Sequence, residues 1–349
     1  MKILYAGYHN PHFISFAEYV ERAITGLGHE LATCDYCDWL IPGRIRDRVH
    51  FLHEWDVNRI NENLIRKVKK FSPDVVLVNG GYTIPASTVL TIKSFSSAVF
   101  VNWIADFPLK FVEYERVGPY YDYFFTSGTD SLARYRAAGH VNGRWLPFAC
   151  DREIHRPVAV SNEDMRTYGC DICFVGSNYT ERVELLEKLA GFDCAIWGLG
   201  WHRMPDSSPV RKMVRGGSLT AEQWIKAFNA SKIVLNIIGH RCDVMEPYVD
   251  EKEFRMTNTK VFEILGCGAF QLVDAKADVM ALFEQKKHLV WYRDGDELVD
   301  LVKYYLERPQ ERKTIAEQGR REVLEKHTYR HRIREILSIV AKDRGSVVP

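Results

Sequence analysis

At 349 residues the chain is too long for one ordinary domain core and comfortable for two. Hydrophobic residues at 46% and charged residues at 27% are ordinary for a globular enzyme, and a formal net charge of +1 argues against the broad basic footprint that nucleic acid requires. A local basic pocket for a diphosphate stays open. Apolar stretches such as Ala98 to Ile104 fall far short of the roughly 20 residues that span a bilayer. The opening MKILYAGYHN carries no apolar leader core, so a cytoplasmic protein with no transmembrane segment is expected.

The first half alternates strand and helix signals. Lys2 to Ala6 reads as a strand opening into the loop Gly7 to His12. Phe16, Tyr19, Val20, Ala23 and Leu27 then follow at helix spacing, with Gly28 as the stop. Strand-like runs recur at Asp74 to Val78, Ala98 to Ile104 and Tyr123 to Thr126, and helices are expected over Pro85 to Ser94 and Ser127 to Ala138. Leu146 to Gly169 interrupts this rhythm with Pro147, Pro157 and a polar run, and reads as a linker with the boundary near residue 160.

The alternation restarts with strands at Asp171 to Val175, Cys194 to Trp197, Ile233 to Ile237, Ala269 to Val273 and Leu289 to Tyr292. Helices are expected at Tyr179 to Ala190, Thr220 to Ala230, Lys260 to Gly266 and Asp296 to Glu307, and two more over Glu311 to Lys342, broken near His327-Thr328. Buried strands alternating with helices imply parallel sheets covered on both faces. The expected division is 1–160, 161–326 and a terminal helix 327–349. The pairs Cys34/Cys37 and Cys170/Cys173 are too far apart for zinc knuckles and read as buried thiols, the second pair on opposite faces of its strand.

In open parallel sheets ligands bind beyond the carboxyl ends of the strands, which selects the loops that can carry chemistry. The leading one is Met256 to Ala269. Thr257, Asn258 and Thr259 are helix-start residues, Lys260 adds a cation, and Glu263 one turn on can accept from vicinal ribose hydroxyls. The competing reading is a Lys260–Glu263 ion pair at i,i+3. The second loop is Gly176-Ser177, where backbone can approach a phosphate, with Arg182 inside the following helix. The third is Gly198-Leu199-Gly200-Trp201, whose tryptophan either walls a base pocket or sits in the core. Asn236 ends a buried strand and either lines the site or satisfies backbone. In the first half, Asp106 after a buried strand and His12 in the first loop are the candidates for a general base, with His9 beside them. No carboxylate cluster demands a metal. The acidic run Asp243, Glu246, Asp250, Glu251, Glu253 reads as a solvated loop.

The segments DICFVGSNYTERVELLEKLA, IWGLGW, NTKVFEILGCGAF and IAEQGRREVLEKHTYRHRIREIL resemble the CgeB-like spore-maturation glycosyltransferases of GT-B fold. NWIADFP and YDYFFTSGTDSLARYRAAGHVNGRWLPFACD are similar to that family's first domain. The resemblance implies two Rossmann-like α/β domains facing a central cleft, with the terminal helix crossing back to the first. It implies a nucleotide-diphosphate-sugar as co-substrate, a UDP-sugar first, held mainly by the second domain without a resident cofactor or metal. Glu263 matches the family's ribose-binding acid, and Gly176, Gly198, Gly200 and Trp201 fall on matching positions. Lys260 stands where the family usually has arginine, which keeps the charge and loses the fork. Many retaining relatives carry glutamates eight positions apart here. Arg255 occupies the first of those positions, leaving the stereochemical outcome open. The acceptor is a glycan, a protein or a small molecule. The alternatives are a sugar-nucleotide epimerase on the same architecture and a non-catalytic nucleotide-sugar-binding protein.

Overall fold

The computed structural model describes residues 1–10, 14–105, 117–137, 139, 142–238 and 254–343. The chain divides into two compact units, one formed by Met1–Pro147 with the C-terminal helix and the other by Phe148–Thr328.

The first unit runs β1 (Lys2–Gly7), α1 (Phe16–Gly26), β2 (Glu30–Asp35), α2 (Gly43–Arg46), α3 (His50–Phe71), β3 (Val75–Val78), α4 (Ala86–Lys93), β4 (Val99–Ile104), β5 (Tyr123–Thr126), α5 (Thr129–Ala137) and β6 (Gly143–Trp145). Its strands form one sheet in the order β2-β1-β3-β4-β5-β6, every pairing parallel. Runs such as Val75–Val78 are apolar at every position because helices cover both faces. Helix α1 starts where the Glu18 carboxylate accepts from the Ser15 N–H and hydroxyl, and its chain leaves through Gly28 at φ +80°.

The second unit runs α6 (Asn162–Tyr168), β7 (Cys170–Val175), α7 (Thr180–Glu187), β8 (Cys194–Trp197), β9 (Val214–Gly216), α8 (Ala221–Ala230), β10 (Ser231–Asn236), α9 (Thr259–Gly266), β11 (Gln271–Asp274), α10 (Ala277–Leu282), β12 (Val290–Tyr292), α11 (Gly295–Leu306) and α12 (Pro309–Lys326). Its parallel sheet has the order β12-β11-β10-β7-β8-β9. Ile172 and Phe174 of β7 feed one core while Cys173 between them feeds the other. The last helix, α13 (Tyr329–Asp343), belongs to the first unit. Its Tyr329 ring lies 5.4 Å from Phe16 and 5.5 Å from Tyr19, and Arg332 Nε donates to Pro147 O at 2.8 Å.

Several elements differ from expectation. The stretch after Pro147 is packed structure rather than linker. Phe148, Ala149 and Cys150 are buried, Cys150 N donates to His327 O, and Asn162–Tyr168 is a helix capped reciprocally by Ser161 and Asp164. Helix α3 carries no clean apolar stripe because two of its buried positions, Asp56 and Asn61, are polar and bonded to neighbouring backbone. Strands β2, β6 and β9 are short or half-exposed and left no apolar run to read. Cys170 and Cys173 pack into the same core rather than on opposite faces. Cys170 sits at the first position of β7, beside a local irregularity where Asp171 N and Ile172 N both donate to Asp193 O.

Candidate functional site

Strand order reverses direction in the second unit between β7 and β10, so the loops leaving those strands splay apart and leave a crevice at their carboxyl ends. Ser177, Arg182, Asn236, Asn258, Lys260 and Glu263 all lie on the loops and helix starts bordering this switch point.

The β7 and β8 loops meet backbone to backbone. Gly198 adopts φ +150°, and a Cβ there would stand 2.0 Å from Gly176 O. Only glycine permits that approach. Gly200, at φ +84°, lets Asn178 N donate to Leu199 O at 2.8 Å. Trp201 has no accessible surface, and its indole Nε1 donates to Gly176 O at 2.7 Å. The structure corrects the reading of Trp201 as a base-stacking wall. It is a core residue that fixes the glycine loop from beneath, because its ring fills the same apolar core as Phe174.

Arg182 is likewise committed. Its Nε and Nη2 donate to Ile237 O at 3.2 and 3.0 Å, and Nη1 donates to Ser177 O at 2.9 Å. The side chain ties the β7 loop to the end of β10 across the switch point and stacks 4.5 Å from the Tyr179 ring. It positions the loops, and its part in holding an anion is limited to the donors left over.

Asn236 and Asn258 form a reciprocal amide pair at 3.0 and 2.9 Å, and Asn258 Oδ1 also caps α9 by accepting from Val261 N at 3.1 Å. On the first turn of α9, Lys260 Nζ reaches Glu263 Oε2 at 2.8 Å. The ion pair expected as the competing reading is therefore present, yet it is not a surface pair. The Glu263 side chain is 6% exposed and Lys260 lies 4.4 Å from the Trp224 ring. Burial pushes the Glu263 carboxyl up, but the Lys260 ammonium, the His155 imidazole and hydrogen bonds from Lys260 and Thr259 outweigh it and hold the carboxyl below its ordinary value. A carboxylate has about four acceptor positions, so capacity remains for ligand hydroxyls. Thr257, one residue before the cap, is 1% exposed, and its hydroxyl finds no hydrogen-bond partner among the described residues. A buried hydroxyl left so costs about 1–3 kcal/mol until something bonds it.

Three features of this unit were not read from the sequence. Asp274, at the carboxyl end of β11, accepts from Ile238 N at 2.8 Å, and burial raises its carboxyl above the usual range despite Lys276. A polar residue closing an apolar run, as at Asn236, was the available signal. The rings of His155 and Trp224 lie 5.5 Å apart with their planes tilted by 40°, beside the Lys260–Glu263 pair. Nothing local in the sequence brings them there, since they lie 69 positions apart, as their numbers give.

Asp106 and His12, the candidate general bases, and the acidic run Asp243 to Glu253 lie outside the described residues. His9 of the first unit is described. Its Nε2 stands 2.6 Å from Glu21 Oε1 and its Nδ1 3.7 Å from Asp35 Oδ2. The hydrogen bonds to Asp35 and Glu21, in that order, raise its pKa to about 10 against the effect of burial. His9 is an imidazolium held by two carboxylates and carries no lone pair for base work.

The profile of a family described as "Glycosyl transferase-like" matches residues 181–338. Spore protein CgeB of Bacillus subtilis (strain 168) is 21% identical over 277 residues, which cover 76% of this chain and 82% of that one. Among solved structures, Anabaena HepE in complex with UDP superposes with a TM-score of 0.65 at 12% identity, covering 98% of this chain and 100% of the other. Sucrose-phosphate synthase from Thermosynechococcus elongatus gives a TM-score of 0.70 at 11% identity over 99% of both chains. The structural likenesses show the fold, a two-domain α/β arrangement of the GT-B type. Among the described residues no helix is long and apolar enough to cross a membrane.

Proposed function

We propose that this chain, a CgeB-like glycosyltransferase of GT-B fold, takes its sugar from a nucleotide-diphosphate-sugar held by the second unit at the carboxyl ends of β7, β8 and β10. The observation that carries the reading is the first turn of α9. A buried carboxylate, a cation and a threonine hydroxyl without a partner among the described residues gather there on a helix start that an asparagine pair holds in place. Glu263 would accept from the ribose hydroxyls, while Lys260 and the α9 and α7 helix starts would face the diphosphate. The backbone of Gly176, Ser177, Gly198 and Gly200 would form the floor against which the phosphates lie. HepE bound to UDP and UDP-glucose supports a uridine donor as the first to test.

In the transfer, an acceptor oxygen bonds to the anomeric carbon, the bond from that carbon to the diphosphate oxygen breaks, and the acceptor hydroxyl proton goes to a base. The leaving diphosphate gains negative charge, which Lys260 and the helix dipoles stabilise without a metal. Asp106 is the proposed base and His12 the second candidate.

Calorimetry with UDP-, GDP-, TDP- and CDP-sugars tests class and base together. One donor is expected to bind, and Glu263→Ala to weaken it at least ~10-fold, the loss of a charged hydrogen bond. Asp106→Asn should abolish transfer and leave donor binding intact, with EDTA without effect on wild-type turnover. Silence across the whole panel would favour a non-catalytic protein, and conversion of donor to an epimer without acceptor would favour an epimerase.

A further inference from the structure

The peptide joining Ile237 to Ile238, where the chain leaves β10, is gripped from both sides. Its carbonyl, on Ile237, accepts from Arg182 Nε and Nη2 at 3.2 and 3.0 Å. Its N–H, on Ile238, donates to Asp274 Oδ1 at 2.8 Å. One peptide group therefore lies between a guanidinium from α7 and a carboxylate from the end of β11.

Both side chains stand where the sheet would have placed backbone. Val234 pairs with Gln271 and Asn236 with Val273, and Val234 N donates to Phe270 O. Rungs recur every two residues, so the one after Asn236 would take Ile238 N to the Asp274 carbonyl. That carbonyl has turned away to accept from Lys276 N at 2.8 Å, and the Asp274 side chain fills its place. On the other side Leu235 pairs with Phe174, so the same rule sets Ile237 O opposite Ser177 N. Strand β7 ends at Val175, and Arg182 bridges the gap instead, with Nη1 on Ser177 O at 2.9 Å. The ladder of β10 thus runs one peptide further on side-chain rungs. Desolvating a guanidinium and a carboxylate is a costly way to end a strand if folding is all it serves.

The extra rung ends beside the donor loops. Asn236, the residue before the gripped peptide, exchanges two bonds with Asn258, whose oxygen caps α9 through Val261 N. A second tie runs from the exit of β11 to the approach to α9. Lys276 Nζ, 3.6 Å from Asp274 Oδ2, lies 5.6 Å from the Phe254 ring, and Asp278 N donates to Arg255 O at 3.0 Å.

We infer that Asp274 is a positioning residue for the donor site proposed above, on which this role rests: by carrying the last rung of β10 it sets Asn236, and through Asn258 the first turn of α9. Calorimetry with UDP-glucose, or with GDP-, TDP- or CDP-glucose if one of those binds instead, tests it at a temperature where melts show every variant folded. Asp274→Asn keeps an oxygen for Ile238 N and should bind within ~3-fold of wild type. Asp274→Leu keeps the size, loses the acceptor and should bind ~10-fold or more weakly. NMR of labelled asparagine should show the side-chain amide signals of Asn236 and Asn258 displaced in Asp274→Leu and held in Asp274→Asn, with or without donor. Should Asp274→Leu fail to fold, Arg182→Lys loosens the same peptide from its carbonyl side, and should weaken donor and move the same signals. A merely stabilising bond would lower the melting temperature and leave affinity and both signals in place, a result that would overturn the inference. So would an Asp274→Asn variant as weak as Asp274→Leu, since charge and not the rung would then matter. Donor bound by wild type, weakened by Glu263→Ala and unaffected by Asp274→Leu would overturn the role of Asp274 alone. Absence of wild-type binding across the four donors would overturn the donor site and this role together.

Discussion

Asn236 at the end of β10 and Asn258 at the start of α9 exchange two side-chain hydrogen bonds, so a strand end and a helix start 22 residues apart are fixed to each other. The same Asn258 oxygen caps the helix through Val261 N. Replacing Asn236 with alanine removes both amide bonds and leaves the cap alone. We expect a loss of about 1–3 kcal/mol in stability. Donor affinity should fall as well, although Asn236 makes no proposed contact with donor, because the first turn of α9 would lose its anchor. Asn258→Ala should cost as much or more, and the double variant less than the sum. Additive stability losses in urea melts would show that the two asparagines act separately.

Thr257 offers a sharper test of where the donor lies. Its buried hydroxyl has no partner among the described residues, so Thr257→Val replaces an unsatisfied polar group with a methyl of the same shape. Stability without ligand should stay level or rise by up to about 1 kcal/mol. If the donor supplies the missing partner, its affinity should drop ~10-fold in the same variant. Thermal melts with and without UDP-sugar separate the two effects. A variant stabilised in both conditions with unchanged affinity would move the donor away from this helix start.

Gly198→Ala asks whether the glycine loops are obligatory. The added methyl would fall against Gly176 O in a backbone conformation that L side chains rarely adopt, and neither loop can yield without breaking the Trp201–Gly176 bond below. A loss of about 3 kcal/mol or more is expected, visible as a lowered urea midpoint. Gly217, where a methyl would meet nothing within 4 Å, serves as the control, and Gly217→Ala should be nearly silent.

His9 shows how an apparent catalytic residue is excluded. With its folded pKa raised to about 10 by Asp35 and Glu21, the imidazolium persists through neutrality. Any stabilisation from this clamp is fully present below the unfolded value near 6.5 and is lost as pH rises through 10. NMR of ring-labelled histidine should show no His9 transition between pH 5.5 and 8.5. A midpoint near 7 would restore it as a candidate base.

Much of the fold was legible because buried parallel strands announce themselves as unbroken apolar runs, as Ile233 to Leu235 does, and because glycines at Gly28 and Gly198 stand where the chain needs positive φ. Helix α6 was legible too, through the Ser161/Asp164 capping box, but the prolines around it drew the segment toward a linker. What the sequence hides is commitment. Arg182, on the first turn of a helix, and Trp201, after a glycine turn, look like ligand-binding side chains, and only the fold shows their donors already bonded to Ile237, Ser177 and Gly176. Conversely, Lys260 and Glu263 read as a possible surface pair, and their burial against Trp224 depends on residues that no local pattern connects.

That buried pair has a titrating neighbour. His155 has no exposure, its Nδ1 accepts from Asp151 N at 3.0 Å, and burial lowers its pKa to about 4, with Lys260 acting in the same direction and Glu263 against it. The unfolded chain therefore takes up a proton near pH 6.5 that the folded chain refuses until about pH 4. Between those values the unfolded state binds more protons, so stability must rise with pH across this window. The penalty is absent above pH 6.5 and reaches roughly 3 kcal/mol at its lower edge, from 1.36 kcal/mol for each unit of displacement. Glu263, whose pKa is lowered from 4.5, keeps the full stabilisation of its pairing above about pH 4.5 and adds a separate loss only below that value, as the carboxylate protonates. His155→Asn keeps an acceptor near Asp151 N and removes the titration. Urea melts from pH 4 to 7 should show the wild type losing stability on acidification through this window, and the variant holding nearly level. A variant as acid-sensitive as the wild type would place the sensitivity elsewhere in the unit.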